Sequence, residues 1–404
     1  MKWASALSLS PQFGTAISEA AATVQRRLGG LRPDIVFVFV SPHHRASFPK
    51  IPGELLSRLN PRHILGCSGG GVIGDGREAE QVAALSLTGA VLPGVELATF
   101  HLQDRQLPSP DCSPRRWEEI TGVKAAQNPE LVVLGDPLSI RTDELLAGLD
   151  FAFPSAAKIG GLASGARRAG ENALFMDGRH LQEGAVGLAL SGDIQVETVL
   201  SQGCRPVGRP LSITKCHRNI LLELDHKPAL EVLSDLYRRS EERDRELLPS
   251  SLFLGLVMDP FKLDEPGPGD FLIRIPVGMD TERGALVIVA VLRKGQIVQF
   301  HLRDASWCGE QLQSVLREYV RNRLDASSVE GAPALPQGAL LFTSMGRGKH
   351  LYGKADHDTQ AFRSEVGEVP LAGFFCNGEI GPVAGATHVH GFTSCFAMFS
   401  GKNC

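Results

Sequence analysis

No two of the eight cysteines, at positions 67, 112, 204, 216, 308, 376, 395 and 404, form a C-x-x-C pair. That spacing excludes a zinc ribbon. Scattered cysteines with apolar flanks point instead to a reducing cytosol, and the chain is expected to be cytoplasmic. No G-x-x-x-x-G-K-[ST] run occurs, which excludes a P-loop. Gly66-Cys-Ser-Gly-Gly70 carries the letters G-x-S-x-G, but no strong histidine–acid partner follows it, so it is not read as a nucleophile elbow. No run reaches the ~18 apolar residues of a membrane span. The apolar part of Met1 to Ser10 is too short for a signal peptide and reads as a first strand. Charge of one sign is also missing. The 41 basic and 45 acidic side chains leave a net −4, so nothing favours nucleic acid or an anionic membrane.

What is present is 404 residues with 44 glycines and 25 prolines, enough for two domains. Strand candidates dominate. Ile35 to Val40 is a continuous apolar run, as expected of a strand buried on both faces. Leu131 to Leu134 and Leu340 to Phe342 are similar. Helices are expected at Thr15 to Leu28, Pro228 to Leu248 and Glu310 to Leu324, the second with Leu230, Leu233, Leu236 and Tyr237 facing inward. Phe-His-Leu-x-Asp occurs at Phe100 to Asp104 and again at Phe300 to Asp304. Glycine turns recur at Gly66 to Gly71, Gly160 to Gly165 and Gly373 to Gly381. The fold class is α/β to α+β, with two strand-rich halves that a duplication would relate, mixed sheets and flanking helices. The halves are placed at 1–210 and 211–404, around the Arg205 to Pro210 interruption. Leu263 to Gly269 and Ala326 to Gln337 read as loops.

Two C-terminal loops carry opposite charges. Phe342 to His350 is an apolar strand running into a turn in which Gly346 and Gly348 flank Arg347. Such an arginine can present a planar fork to a carboxylate. Val369 to Pro382 is a second strand running into a turn with Cys376, Gly378 and Glu379. Glu379 sits among apolar residues, and a buried carboxylate needs a partner. Together the loops suit a zwitterion, with Arg347 and loop N–H groups on its carboxylate, and Glu379 or Asp136 on its ammonium. Gly160, Gly161, Ser164 and Ser68 belong to the other glycine turns, whose N–H groups could nest an anion. Phe374 and Phe375 would supply apolar contact. His388 and His390 share a face on a strand, but no third ligand is evident, and neither a metal nor a cofactor is expected. The alternatives are an adaptor with purely structural turns and a hydrolase built on Cys67, Ser68 or Cys376. The binding reading is preferred to the enzymatic one.

These motifs resemble the FIST family, a two-part sensory domain. Pro33 to Ser41 is similar to the first core strand of its N-terminal part, and Lys158 to Gly165 to its glycine turn. Ile220 to Leu233 is similar to the junction into the C-terminal part. Ser344 to Gly348 and Leu371 to Pro382 are similar to its terminal signatures. The resemblance implies binding of a small ligand, an amino acid or related metabolite, in signal transduction. With neither an F-box before it nor an output domain after it, the chain is expected to dock on a protein partner. The ligand pocket is expected between the halves, where the glycine turns converge.

Overall fold

The computed structural model describes residues 1–109, 111–258, 266–267, 269–330 and 335–402. Its apolar runs assemble into mixed sheets with helices on their outer faces, the architecture expected from the sequence. Three of the sheets have six strands each and share one strand order. The first is ordered Lys2–Ser8, Leu85–Val91, Ile35–Val40, His63–Ser68, Leu174–Met176, Arg179–Leu181. The second is Val95–Leu102, Ala185–Gly192, Glu130–Gly135, Lys158–Leu162, Glu379–Val383, Ala386–His390. The third is Gln195–Ser201, Ser394–Ser400, Gly338–Ser344, Leu371–Cys376, Gly71–Gly74, Arg77–Glu80. In each, the third and fourth strands run parallel and the remaining pairings are antiparallel.

The last hairpin of every sheet comes from another module. Gly71–Glu80 follows the first sheet's parallel strand but completes the third sheet. The hairpin 174–181 leaves the second module for the first sheet. The hairpin 379–390 leaves the third module for the second sheet. The exchange is cyclic, so the repeating unit is finer than a half. Three modules span roughly 2–91, 95–192 and 195–400, and the third is interrupted by an eight-stranded sheet between Arg205 and Leu302. The Phe-His-Leu-x-Asp echo does not mark this repeat. His101 lies on an edge strand of the second sheet, whereas His301 is buried inside the inserted sheet.

The inner faces of the three sheets enclose one core, with Phe37, Phe39, Leu134, Ile159, Leu188, Phe342 and Phe374 among its members. Outer faces are covered by helices. Phe13–Leu28 buries Ala16, Ile17, Ala20, Ala21, Val24 and Leu28 on the first sheet and ends at Gly29, whose φ of 71° only glycine takes freely. Thr142–Ala152 covers the second sheet. Ala305–Glu330 and His357–Val366 cover the third through Leu312, Leu316 and Phe362. The first of these contains the expected 310–324 helix and runs on into the segment read as a loop. Of that segment, 331–334 lie outside the described residues, as does most of Leu263 to Gly269. The expected 228–248 helix is two helices, Ala229–Arg239 and Glu242–Ser251, broken at an extended Ser240. Tyr237 faces outward, 45% exposed.

One close approach recurs in all three modules. Val38 pairs with Gly66, Val133 with Gly160 and Leu341 with Gly373. A Cβ on these glycines would sit 1.9, 1.8 and 1.8 Å from the facing carbonyl oxygen. Gly66, Gly160 and Gly161 are therefore strand residues and not turn residues, as their place in His63–Ser68 and Lys158–Leu162 shows. Gly373→Ala is expected to cost ~3 kcal/mol or more, because backbone and not a side-chain tip must yield. Urea unfolding measures this, and a midpoint equal to the parent's would contradict the close approach.

Candidate functional site

The turn after Gly338–Ser344 is closed by hydrogen bonds from the Arg347 amide to the Ser344 carbonyl (2.9 Å) and from the Gly346 amide to Ser344 Oγ (3.2 Å). This geometry sends the Arg347 side chain inward, where it is fully buried. Its Nε and Nη2 donate to Asp358 Oδ2 and Oδ1 at 2.9 and 3.1 Å, a bidentate pair. Asp358, equally buried, also accepts from Thr343 Oγ1 (3.1 Å) and Ser394 Oγ (2.6 Å). Burial alone would push Asp358 up, but the Arg347 charge, together with hydrogen bonds from His357, Arg347 and Ser394, holds the carboxyl well below its ordinary range. Arg347 therefore does not offer a free fork to a ligand. Its charge is consumed inside the protein.

The expected hollow between the lobes does exist, beside this pair. A cleft of ≈ 650 Å³ opens where the exported hairpin 379–390 meets the second module and the edge of the inserted sheet. Gly346, Cys376, Gly378 and Glu379 line it, together with Met345, Asn377, His390 and Phe392. The cation in its wall is Arg274, at the end of strand Phe271–Arg274. Its Nη1 donates to the Ile273 and Val389 carbonyls at 3.0 and 3.2 Å. Burial pushes Arg274 down, and the charge of Asp143, another lining residue, pulls it back up. Sequence reasoning missed both. The signal for Arg274 was a single cation closing an otherwise apolar Phe271 to Ile273 strand.

Glu379 is fully buried just under the cleft surface. Its Oε2 accepts from the Thr393 amide at 3.1 Å, and its Oε1 has no hydrogen-bond partner among the described residues. Burial pushes the carboxyl well up, against the Thr393 amide and the Arg347 charge. Thus Arg347 and Glu379 share one interior neighbourhood but do not grip anything together.

The remaining candidates serve the seams between modules. Ser164 Oγ accepts from the Gly70 amide (2.8 Å) and donates to the Phe375 carbonyl. Ser68 Oγ accepts from the Ala173 amide at 3.0 Å. Asp136 is buried and accepts from Asn172 Nδ2 at 2.8 Å and from Ser139 Oγ, so it is a turn former facing the protein. Gly160 and Gly161 pair with Ile380 and Glu379. Gly348 lies against the Glu80 carboxylate. The glycine turns do converge, but their backbones touch: a Cβ on Gly165 would sit 3.3 Å from Gly70 Cα. Phe374 and Phe375 are core residues, the former stacked on Phe39 at 5.1 Å, and do not line the cleft. Burial pushes the Cys67 and Cys376 thiols well up, so neither is prepared as a nucleophile.

The polar chemistry is concentrated in the third module. Where it pairs Thr343 with Ser394, the first module pairs Val40 with Leu85 and the second Gly135 with Ala185. The network around Asp358 is thus an addition to a fold that is apolar at the same positions elsewhere. A further acid approaches it from the first module's exported hairpin. Glu78 Oε1 accepts from the Thr359 amide at 2.8 Å, while burial, then the charge of Asp358, pushes its carboxyl up to about 8.

Arg347→Met leaves Asp358 without its counter-charge and is expected to cost ~3–5 kcal/mol in urea unfolding. A loss below ~1 kcal/mol would mean that the pair is not buried as described. Glu78 gives a pH signature. Its carboxyl ionises near 4.5 when unfolded but near 8 when folded, so its contribution is full below pH 4.5 and is lost as pH rises towards 8. Glu78→Gln keeps an acceptor for Thr359 and removes the ionisation. The variant should gain on the parent by a few kcal/mol between pH 5 and 8, and parallel pH profiles would refute this.

Residues 34–227 match the FIST N domain and residues 229–382 the FIST C domain. An uncharacterized protein of Mycobacterium tuberculosis is 34% identical over 395 residues, 97% of this chain and 98% of the relative. An uncharacterized protein of Mycobacterium bovis is 33% identical over 393 residues, 96% of each. No helix among the described residues is long and apolar enough to cross a membrane. With both domains matched along nearly its whole length, the chain belongs to the FIST family, whose domains are linked to sensing in signal transduction.

Proposed function

We propose that the chain is a small-ligand-binding sensory protein of intracellular signal transduction, and that its ligand is an amino acid or a related metabolite held in the cleft between the lobes. The observation that carries this reading is the presence of Arg274 and Asp143, opposite in charge, in the wall of one ≈ 650 Å³ cleft. That volume suits a small molecule. Arg274 has part of its fork engaged by two carbonyls and is held in a half-buried position, which suits a carboxylate. Asp143 suits the ammonium. The apolar walls, Ile140, Leu162, Ile273 and Val389, suit a side chain. The glycine-turn amides and Arg347 leave the proposed contact set, while Gly346, Cys376 and Gly378 remain in it as wall residues.

A protein partner has its own support. The inserted sheet and the segments flanking its strands expose Ile275, Val277, Met279, Val289 and Val291, of which Val291 is 76% exposed. Ile275 and Val289 also line the cleft, so ligand and partner would share residues. On this reading the chain binds and signals and does not catalyse.

A thermal-shift panel of the twenty L-amino acids tests the proposal. A ligand at a hundred times its Kd adds ~2.7 kcal/mol of stability. Arg274→Ala should then weaken a positive ligand more than tenfold by calorimetry, since loss of one desolvated charge partner costs ~2–5 kcal/mol. Unchanged affinity in that variant would remove Arg274 from the site, and a flat panel with a retained protein partner would favour the adaptor reading.

A further inference from the structure

The threefold repeat allows the third module's exported hairpin to be compared with its two counterparts. Opposite the glycines that touch a carbonyl stand Phe175 (on Gly66), Ile380 (on Gly160) and Ile73 (on Gly373). One residue earlier, the three hairpins carry Leu174, Glu379 and Val72, all with 0% exposure. Across the hairpins these pair with Leu181, His390 and Ala79. Two modules therefore place an aliphatic pair where the third places an acid and a histidine. The fold itself is satisfied by hydrocarbon at this position, and a buried carboxyl there carries a desolvation cost.

What distinguishes the third hairpin is the cleft. Val389 to Phe392 form one of its walls, and this wall with the adjoining Thr393 is pinned at three points. Arg274 Nη1 donates to the Val389 carbonyl at 3.2 Å, Arg347 Nη1 to the Phe392 carbonyl at 3.5 Å, and the Thr393 amide to Glu379 Oε2 at 3.1 Å. The last two points share the 392–393 peptide bond, and just before it Phe392 takes a φ of 62°, a left-handed conformation that a bulky side chain adopts only when held. Its ring packs on Phe253 (4.5 Å) with Arg303 over its face at 5.1 Å.

We infer that Glu379 is a positioning residue that serves the cleft and not the fold: through the Thr393 amide it fixes the Val389–Thr393 wall, and with it the Phe392 ring and the carbonyl that seats Arg274. This rests on the cleft being the ligand site proposed above. It also assigns the acid a role different from holding an ammonium. His390 fits the same arrangement, since its Nε2 donates to the Gly381 carbonyl at 3.1 Å and stiffens the hairpin from within.

Glu379→Val, which copies the first module's hairpin, and Glu379→Gln, which keeps an acceptor for Thr393, test this together. The expected result for Glu379→Val is a melting temperature equal to or above the parent's. Exchange of the Thr393 amide should be at least tenfold faster by hydrogen-exchange NMR. Binding should be at least tenfold weaker for whichever of the twenty L-amino acids shifts the parent. Glu379→Gln should stay within threefold of the parent in both measurements. A Glu379→Val protein that melts well below the parent would show that the acid serves the fold and overturn the inference. Parent-like exchange and binding in a stable variant would overturn it equally. If none of the twenty binds the parent, the amino-acid reading falls, while melting and amide exchange still decide the role of Glu379.

Discussion

Each of the three six-stranded sheets is completed by a hairpin that another module supplies. No sheet can form its full hydrogen-bonded ladder from its own module, because the strand beside Leu371–Cys376 begins at Gly71 and the strand beside Lys158–Leu162 begins at Glu379. The constraint explains why the glycine turns crowd together. The chain must leave each parallel strand, cross to the next sheet and start a hairpin there, and three such crossings share the same end of one core. It also explains why Gly66, Gly160 and Gly373 sit on the strands just before those crossings. With a facing carbonyl 1.8–1.9 Å from any Cβ, only the smallest residue lets the parallel pair close tightly enough for the crossing to follow.

Against this shared scaffold, the third module carries unusual cost. Arg347, Asp358 and Glu379 are wholly withdrawn from water. A buried ion pair is at best weakly stabilising relative to hydrocarbon. The first two modules show hydrocarbon or glycine at the positions of Thr343 and Ser394, which help hold Asp358. Polar groups retained at such a cost belong to geometry that the fold alone does not require. Here that geometry is the turn 344–348 and the segment 389–393, and both of them border the cleft.

Much of the fold was legible in the residues. Uninterrupted apolar strands such as Ile35–Val40, the helix Phe13–Leu28 and the mixed α/β class follow from periodicity, which sheet and helix burial enforce directly. The recurrence of glycine was visible too, but a glycine that touches a carbonyl inside a strand and one that bends a turn look alike in sequence. Two long-range facts were out of reach. Hairpin exchange is a matter of which edge a strand joins, and local pattern does not encode it. The fate of Arg347 depended on Asp358, eleven residues on and across a helix, so a glycine-flanked arginine looked free when it was not. A glutamate among apolar residues signals a buried acid in need of partners, and for Glu379 a backbone amide serves one of its two oxygens. Arg274 was overlooked because it reaches the cleft only through the inserted sheet.

That insertion explains why one seam of three differs from the other two. Between Ser201 and Ala305 the third module leaves the common pattern and builds the eight-stranded sheet. Its edge strand Phe271–Arg274 comes to rest beside the exported strand Ala386–His390, and Arg274 bonds to that strand through the Val389 carbonyl. The seam between the second and third modules thereby gains a cationic wall from outside the repeat. A molecule that spanned Arg274 and Asp143, as proposed, would tie the inserted sheet to the second module. Its effect would then be to change how firmly that sheet, with its exposed Val277, Met279 and Val291, is held against the rest. On the proposed reading, sensing of this kind would need no rearrangement of the three-sheet core.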